Sequence, residues 1–208
     1  RVSGAWIYAL AGVVALGVSV TARAAGDAQR GEHLAYTCLG CHGVPNYENT
    51  YPMYRVPKLN GQHPAYIVSA LKAYRSGERS HATMHAQASS MSDEDMADVA
   101  AYLSGTVLKS AGKPVGAAPA ATQLCVACHG TDGVGMTGDY PTLAGQYADY
   151  IARALTEYRK GDRKNPIMAT FAGQIKEADI EAIAAYFSHQ APSLDSVHRR
   201  LTRFSKLE

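Results

Sequence analysis

Between Pro64 and Ser76 the apolar positions Ile67, Ala70, Leu71 and Tyr74 fall at i, i+3, i+4 and i+7, the spacing of one helix face. Ile151, Ala154, Leu155 and Tyr158 repeat that spacing further along. A second pattern follows Ser92, a good N-cap ahead of Asp93, Glu94 and Asp95, which suit the positive end of a helix. It sets Met96, Val99, Ala100 and Leu103 on one face, and Ile180, Ile183, Ala184 and Phe187 form the matching face later in the chain. Asp27–Thr37 also has helical composition, and no alternation of strands with helices is visible. The sequence therefore predicts an all-α protein. Gly105–Ala121 is rich in Gly, Ala and Pro without periodicity and reads as a linker.

The recurrence is a duplication. Pro57–Gly77 aligned on Pro141–Gly161 gives 11 identities in 21 positions without a gap, and the same offset of 84 carries residues 95–104 onto 179–188. The two cysteine motifs lie 87 apart, so the first copy holds three extra residues, within "VPNYENTYPMYRV" (44–56). Charge repeats too: residues 27–104 and 120–190 each carry six Lys/Arg against eight Asp/Glu. The overall charge of +2 comes from the ends and the linker, and no basic face of a nucleic-acid binder is present. The segments are 1–26, a unit at 27–104, the linker at 105–121, a second unit at 122–190 and a basic tail at 191–208.

Ala5–Ala22 is uncharged and follows an arginine at position 1, with Ala22-Arg23-Ala24 beyond it. Such a segment is either a secretory signal peptide or a membrane anchor. Eighteen helical residues span roughly 27 Å, slightly short of the ~30 Å hydrocarbon core. The expectation adopted is an uncleaved inner-membrane anchor with Arg1 on the cytoplasmic side, and the remainder exported to a bacterial periplasm. The tail sets Val197, Leu201 and Phe204 among Arg199, Arg200, Arg203 and Lys206, either a short basic amphipathic helix suited to a membrane surface or a partner, or a frayed, solvated terminus.

All four cysteines sit in "CLGCH" (38–42) and "CVACH" (125–129). Three chemistries use two thiols separated by two residues: a redox dithiol, half a zinc site, or covalent haem c. A zinc site needs further ligands that the cysteines cannot supply. A thioredoxin-like dithiol belongs in a strand–helix pattern that is absent. The histidine following both pairs fits haem c: each thiol bonds one vinyl group, and the imidazole ligates the iron. Cys38, Cys41, Cys125 and Cys128 are thus expected to hold two haem c groups, with His42 and His129 as axial ligands. A large bonded cofactor would also staple units of this small size.

A sixth ligand decides the chemistry. "SHATMHAQASSM" offers His81, Met84, His85 and Met91, and the second copy offers Met136 and Met168. At offset 84 Met84 falls on Met168, whereas His85 falls on Ala169 and Met91 on Ile175, so Met84 and Met168 are selected. A methionine here is otherwise core filler, but this one recurs while its neighbours change. A filled sixth position favours electron transfer over reaction with oxygen or peroxide. Pro57 and Pro141 offer carbonyls to the proximal histidines or are turn prolines. Arg75 and Arg159 either meet haem propionates or complement the helix end. Tyr47, Tyr51 and Tyr54 of the insertion cover a haem edge or pack in their loop. His33, His63, His189 and His198 have no mate in the repeat and read as surface or packing residues.

The set "CLGCHG…PKLNGQ…YRSG…M…DMADVAAYLS" with its duplicate resembles the dihaem cytochrome c4 family over residues 27 to about 190. The resemblance implies two tandem class I cytochrome c domains related by an approximate twofold, with haems close enough to exchange electrons. It also implies a non-enzymatic carrier, periplasmic and often membrane-associated, between a quinol-oxidising complex (quinol–cytochrome c oxidoreductase) and a terminal haem–copper oxidase. An electron-accepting subunit of a dehydrogenase, as in flavocytochrome c sulfide dehydrogenase, is the alternative. A dihaem peroxidase would require a labile sixth ligand. The insertion and the tail depart from the family pattern.

Overall fold

The computed structural model describes residues 26–51 and 53–198. The expected anchor therefore lies outside the described residues, as does the tail from Arg199 onward. Among the described residues no helix is long and apolar enough to cross a membrane.

The first unit is built from α1 (Ala28–Leu34), α2 (Leu39–His42), α3 (Pro64–Ser76), α4 (Ala82–Ser89) and α5 (Asp93–Ser104). The second contains α6 (Val126–His129), α7 (Ala148–Lys160), α8 (Pro166–Gln174) and α9 (Ile180–Ser188). Among the described residues the only extended pairings are isolated bridges. In place of a counterpart to α1, the second unit enters its cysteine motif through a 3-10 turn, Ala120–Leu124.

Local chemistry explains the helix limits. The Asp27 side chain accepts from the backbone N–H groups of Gln29 and Arg30 and starts α1. Ser92 and Asp95 form a capping box at α5. Gly77 and Gly161 end α3 and α7 at φ +81° and +82°, a left-handed conformation that a residue with a Cβ adopts only at a cost. Where α1 crosses α5, a Cβ on Gly31 would lie 2.0 Å from the Asp98 carbonyl oxygen, so only glycine permits that approach.

Each unit has its own apolar core. In the first, Met96, Val99, Ala100 and Leu103 of α5 pack against Ile67, Leu71 and Tyr74 of α3. In the second, Ile180, Ile183, Ala184 and Phe187 of α9 pack against Ile151 and Leu155 of α7. Ala70 lies instead on the wall of the first unit's cavity.

An approximate twofold relates the units at backbone level. Gln62 Nε2 donates to Thr142 O (3.0 Å) while its Oε1 accepts from Thr142 N (2.8 Å). Gln146, the mate of Gln62, does the same to Lys58, the mate of Thr142, at 3.0 Å in both directions. Lys164 N donates to Glu78 O and Ser80 N to Asp162 O, with the Arg79–Arg163 bridge between them. The linker is pinned rather than loose. Asp132 accepts from Ser110 Oγ (2.6 Å) and the Ala111 N–H (2.9 Å), and Gln190 exchanges two hydrogen bonds with Val115.

After α9 the chain returns to the first unit. Asp195 and Asn60 exchange backbone hydrogen bonds, and Val197 N donates to His42 O (3.0 Å). Val197 is therefore corrected from an amphipathic tail to a buried member of the first core. Leu201 and Phe204 lie outside the described residues.

Candidate haem sites

α2 and α6 are single helical turns, so each places two thiols and one imidazole on adjacent positions of one face. Cys38, Cys41 and His42 line a cavity of about 370 Å³ in the first unit. Cys125, Cys128 and His129 line one of about 310 Å³ in the second. Beyond these groups the walls are mostly but not wholly apolar, formed largely by the inner faces of α3 and α5 or of α7 and α9.

Both imidazoles have a fixed tautomer. His42 Nδ1–H donates to Pro57 O at 2.8 Å, and His129 Nδ1–H to Pro141 O at the same distance. Burial pushes both histidines below their usual value against the opposing pull of those carbonyls. Each is thus a neutral imidazole whose Nε2 keeps its lone pair, the form that ligates a metal.

The thiols are unlike those of a redox dithiol. Burial raises Cys38 and pushes Cys125 up to about 11, the reverse of the thiolate stabilisation that activates such pairs. Among the described residues no three His, Cys, Asp or Glu side chains converge as a metal ion would need. The sulfurs therefore lack the further ligands of a zinc site.

The candidate methionines sit on short helices that the sequence did not announce. Met84 is the third residue of α4 and its N–H donates to His81 Nδ1 (3.2 Å). Met168 is the third of α8 and donates to Asn165 Oδ1 (3.0 Å). Met84 lines the first cavity and Met168 the second. Of the rival candidates, His81 and Met91 also line the first cavity. His85 lies outside it with Nδ1 on Tyr74 O, and Met136 is exposed in its loop.

Of the two readings of Arg75 and Arg159, the structure shows the helix end: both stand in the last turns of their helices. Arg75 lines neither cavity: it donates to Met91 O (2.8 Å) and pairs with Asp93 (2.7 Å). Arg159 is exposed in the last turn of α7. The arginines at the cavities are the next ones along, Arg79 and Arg163, which are 9% and 6% exposed. Arg79 lines both cavities and Arg163 the second. Arg79 donates to Tyr66 OH (3.1 Å) and Arg163 to Tyr150 OH (3.3 Å), and both tyrosines line both cavities. All four residues recur at offset 84, the signal that could have found them.

The insertion separates the two sites. Tyr54 is buried, lines the first cavity and lies edge-on to His81 with ring centroids 6.4 Å apart. Tyr51 is 94% exposed, and Tyr47 is partly exposed. The loop is held to the second unit through Arg55 and Asp149 (3.1 Å) and through Asn46 N on Tyr147 OH (2.9 Å). Among the histidines without a mate, His63 Nε2–H also crosses between units, to Gly135 O (3.1 Å).

Comparison with known proteins agrees with this geometry. The family described as "Cytochrome c" matches residues 28–106 and again 116–191. A protein named cytochrome c4 from Pseudomonas aeruginosa is 34% identical over 195 residues, covering 84% of this chain and 94% of that one. A thiosulfate dehydrogenase electron acceptor from Stutzerimonas stutzeri is 34% identical over 206 residues, covering 88% of this chain and 94% of its own. The crystal structure of reduced recombinant cytochrome c4 from Pseudomonas stutzeri superposes with a TM-score of 0.62 at 30% identity, over 80% of this chain and 100% of that one.

Proposed function

Because the chain belongs to the dihaem cytochrome c4 family and carries two covalent haem c groups, we propose that it passes single electrons from a quinol-oxidising complex to a terminal haem–copper oxidase. One observation supports this reading: each cavity is lined by a neutral imidazole and by a thioether residue, a pair that would leave no iron position open to oxygen or peroxide. His42 with Met84, and His129 with Met168, would hold the two irons. Haem supplies the redox centre, and the chain's residues do the rest. The Pro57 and Pro141 carbonyls orient the proximal imidazoles. The apolar walls exclude water, and thioether ligation favours the reduced state. Tyr66, Tyr150 and Arg79, shared by both cavities, give the two centres a common wall.

The relative named as a thiosulfate dehydrogenase electron acceptor supports a second reading, in which the donor is a dehydrogenase. It suits the alternative of a dehydrogenase-linked subunit better than a flavoprotein partner does. Export to the periplasm belongs to either reading, since haem c is attached to exported chains. Membrane association would rest on residues 1–25.

Stopped-flow mixing of the oxidised two-haem protein with each donor, and of the reduced protein with oxidase-containing membranes, tests the assignment. Rapid reduction by the quinol-oxidising complex and rapid oxidation by the oxidase are expected. Reduction by thiosulfate dehydrogenase alone would move the protein to the second reading. Failure to exchange electrons with any of the three would overturn both.

A further inference from the structure

The two methionine-bearing helices are capped by different residues. The Met168 N–H donates to Asn165 Oδ1, an ordinary N-cap, with Pro166 opening α8 behind it. The Met84 N–H donates instead to His81 Nδ1 at 3.2 Å. Histidine is not among the preferred caps. Its one acceptor nitrogen lies in the ring plane, so an imidazole caps a helix only while that plane is held.

Two tyrosines hold it. Tyr74 of α3 and Tyr54 of the insertion both meet His81 edge-on, with centroids 6.3 and 6.4 Å away and interplanar angles of 73° and 84°. Such T-shaped pairs stabilise beyond the burial of area alone. Tyr74 belongs to the first unit, but Tyr54 is fixed from the second. The Arg153 guanidinium lies 4.8 Å from the Tyr54 ring centroid, and the Tyr150 ring 6.5 Å from it. Glu157 in turn pairs with Arg153 and Arg163, at 2.7 Å in each case. At offset 84 Gly138 replaces Tyr54, Ser69 replaces Arg153 and Ala73 replaces Glu157. Ser69 and Ala73 line an open cleft of about 540 Å³ instead. The brace is therefore built once, on the unit whose cap needs it.

We propose that Tyr54 and His81 are positioning residues for Met84, through which the second unit holds the sixth ligand of the first haem in place. The inference rests on Met84 being that ligand. Tyr54, Tyr74, His81 and Met84 all line the first cavity, so the brace stands beside the thioether it serves. Loss of the Tyr54 ring frees the imidazole to turn, the Met84 N–H loses its acceptor, and the first turn of α4 frays. The sulfur then gives way more readily to a competing ligand. Met168 is held by Asn165 without such a ring, so the first haem alone senses how the units are docked.

The test is titration of the oxidised two-haem protein with imidazole, followed by loss of the methionine–iron charge-transfer absorbance. Absence of that absorbance at the first haem of the wild type would overturn Met84 as ligand, and the brace with it, before any variant is read. Met84→Ala identifies which phase of the titration belongs to the first haem. Tyr54→Leu, which keeps apolar volume without a ring, should raise the imidazole affinity of that haem about three- to tenfold, the worth of one aromatic edge contact. The second haem should stay as in wild type, and so should both haems of Tyr54→Phe, which retains the edge. His81→Asn copies the cap of the second unit, so in that background Tyr54→Leu should change the affinity by less than about twofold. Arg153→Gln releases Tyr54 from the second unit; it should raise the affinity about two- to threefold and serves if the leucine variant fails to fold. Unchanged affinity in both Tyr54→Leu and Arg153→Gln would overturn the proposal. So would an undiminished effect of Tyr54→Leu in the His81→Asn background, or a shift at the second haem instead of the first.

Discussion

At the scale of single residues the chemistry rests on keeping three imidazoles neutral. Burial holds His42, His129 and His81 below the ordinary histidine value, against the pull of Pro57 and Pro141 on the first two. An unfolded chain protonates these rings near pH 6.5, while the folded chain resists until lower pH. Below about pH 6.5 the unfolded state therefore binds more protons, and stability must fall with pH. Carboxylates add a separate window: hydrogen bonds from Lys72 and Arg75 hold Asp93 at about 2, so its contribution is lost only as pH drops below its ordinary 3.8. Urea unfolding at a series of pH values should show the midpoint declining between pH 7 and pH 5, before any carboxylate titrates. A flat midpoint over that range would contradict the assignment. The proposed ligands were legible because motif and repeat agree on them. Arg75 and Arg159 could not be told from Arg79 and Arg163, which recur at the same offset four residues later. The left-handed turn at Gly77 that brings Arg79 back beneath the Tyr66 ring leaves only a glycine in the sequence.

At the scale of elements, long apolar stripes made α3, α5, α7 and α9 readable, whereas α4 and α8 were not. Those two helices have 8 and 9 residues, are rich in small side chains and bury only Ala88 and Ala172 deeply, so they carry no stripe. Their starts depend on His81 and Asn165, which cap the helix by accepting from the methionine N–H; histidine is not a cap that sequence rules emphasise. The returning segment at 190–197 was also invisible, since its register comes from Asn60 and His42, far away in sequence. The paired glutamines are where the duplication becomes a joint. Gln62 and Gln146 are 3% and 4% exposed, and each satisfies a donor and an acceptor across the interface. Replacing either by alanine strands two backbone groups and should cost about 1–3 kcal/mol. The two costs should be non-additive, because they share one interface. Chemical denaturation of both single variants and the double variant measures this, and losses below about 0.5 kcal/mol would show that the clasp is incidental.

At the scale of the whole molecule, a symmetric frame carries an asymmetric load. Backbone hydrogen bonds repeat faithfully about the twofold, yet Tyr54 closes one cleft and Ala73 opens the other, so the two centres meet different surroundings. Identity between the copies made the frame predictable. The differences lie at positions such as Ala73 and Glu157, which gain meaning only once the copies are superposed in space. The central claim is that each chain holds two one-electron centres with no vacant coordination position. Stoichiometric reduction of the intact protein, followed by exposure to carbon monoxide, tests it most directly. The account predicts two electrons taken up per chain, both in haem absorbance, and a spectrum that carbon monoxide leaves unchanged. Uptake of fewer than two electrons, or a carbon monoxide adduct at either centre, would contradict it.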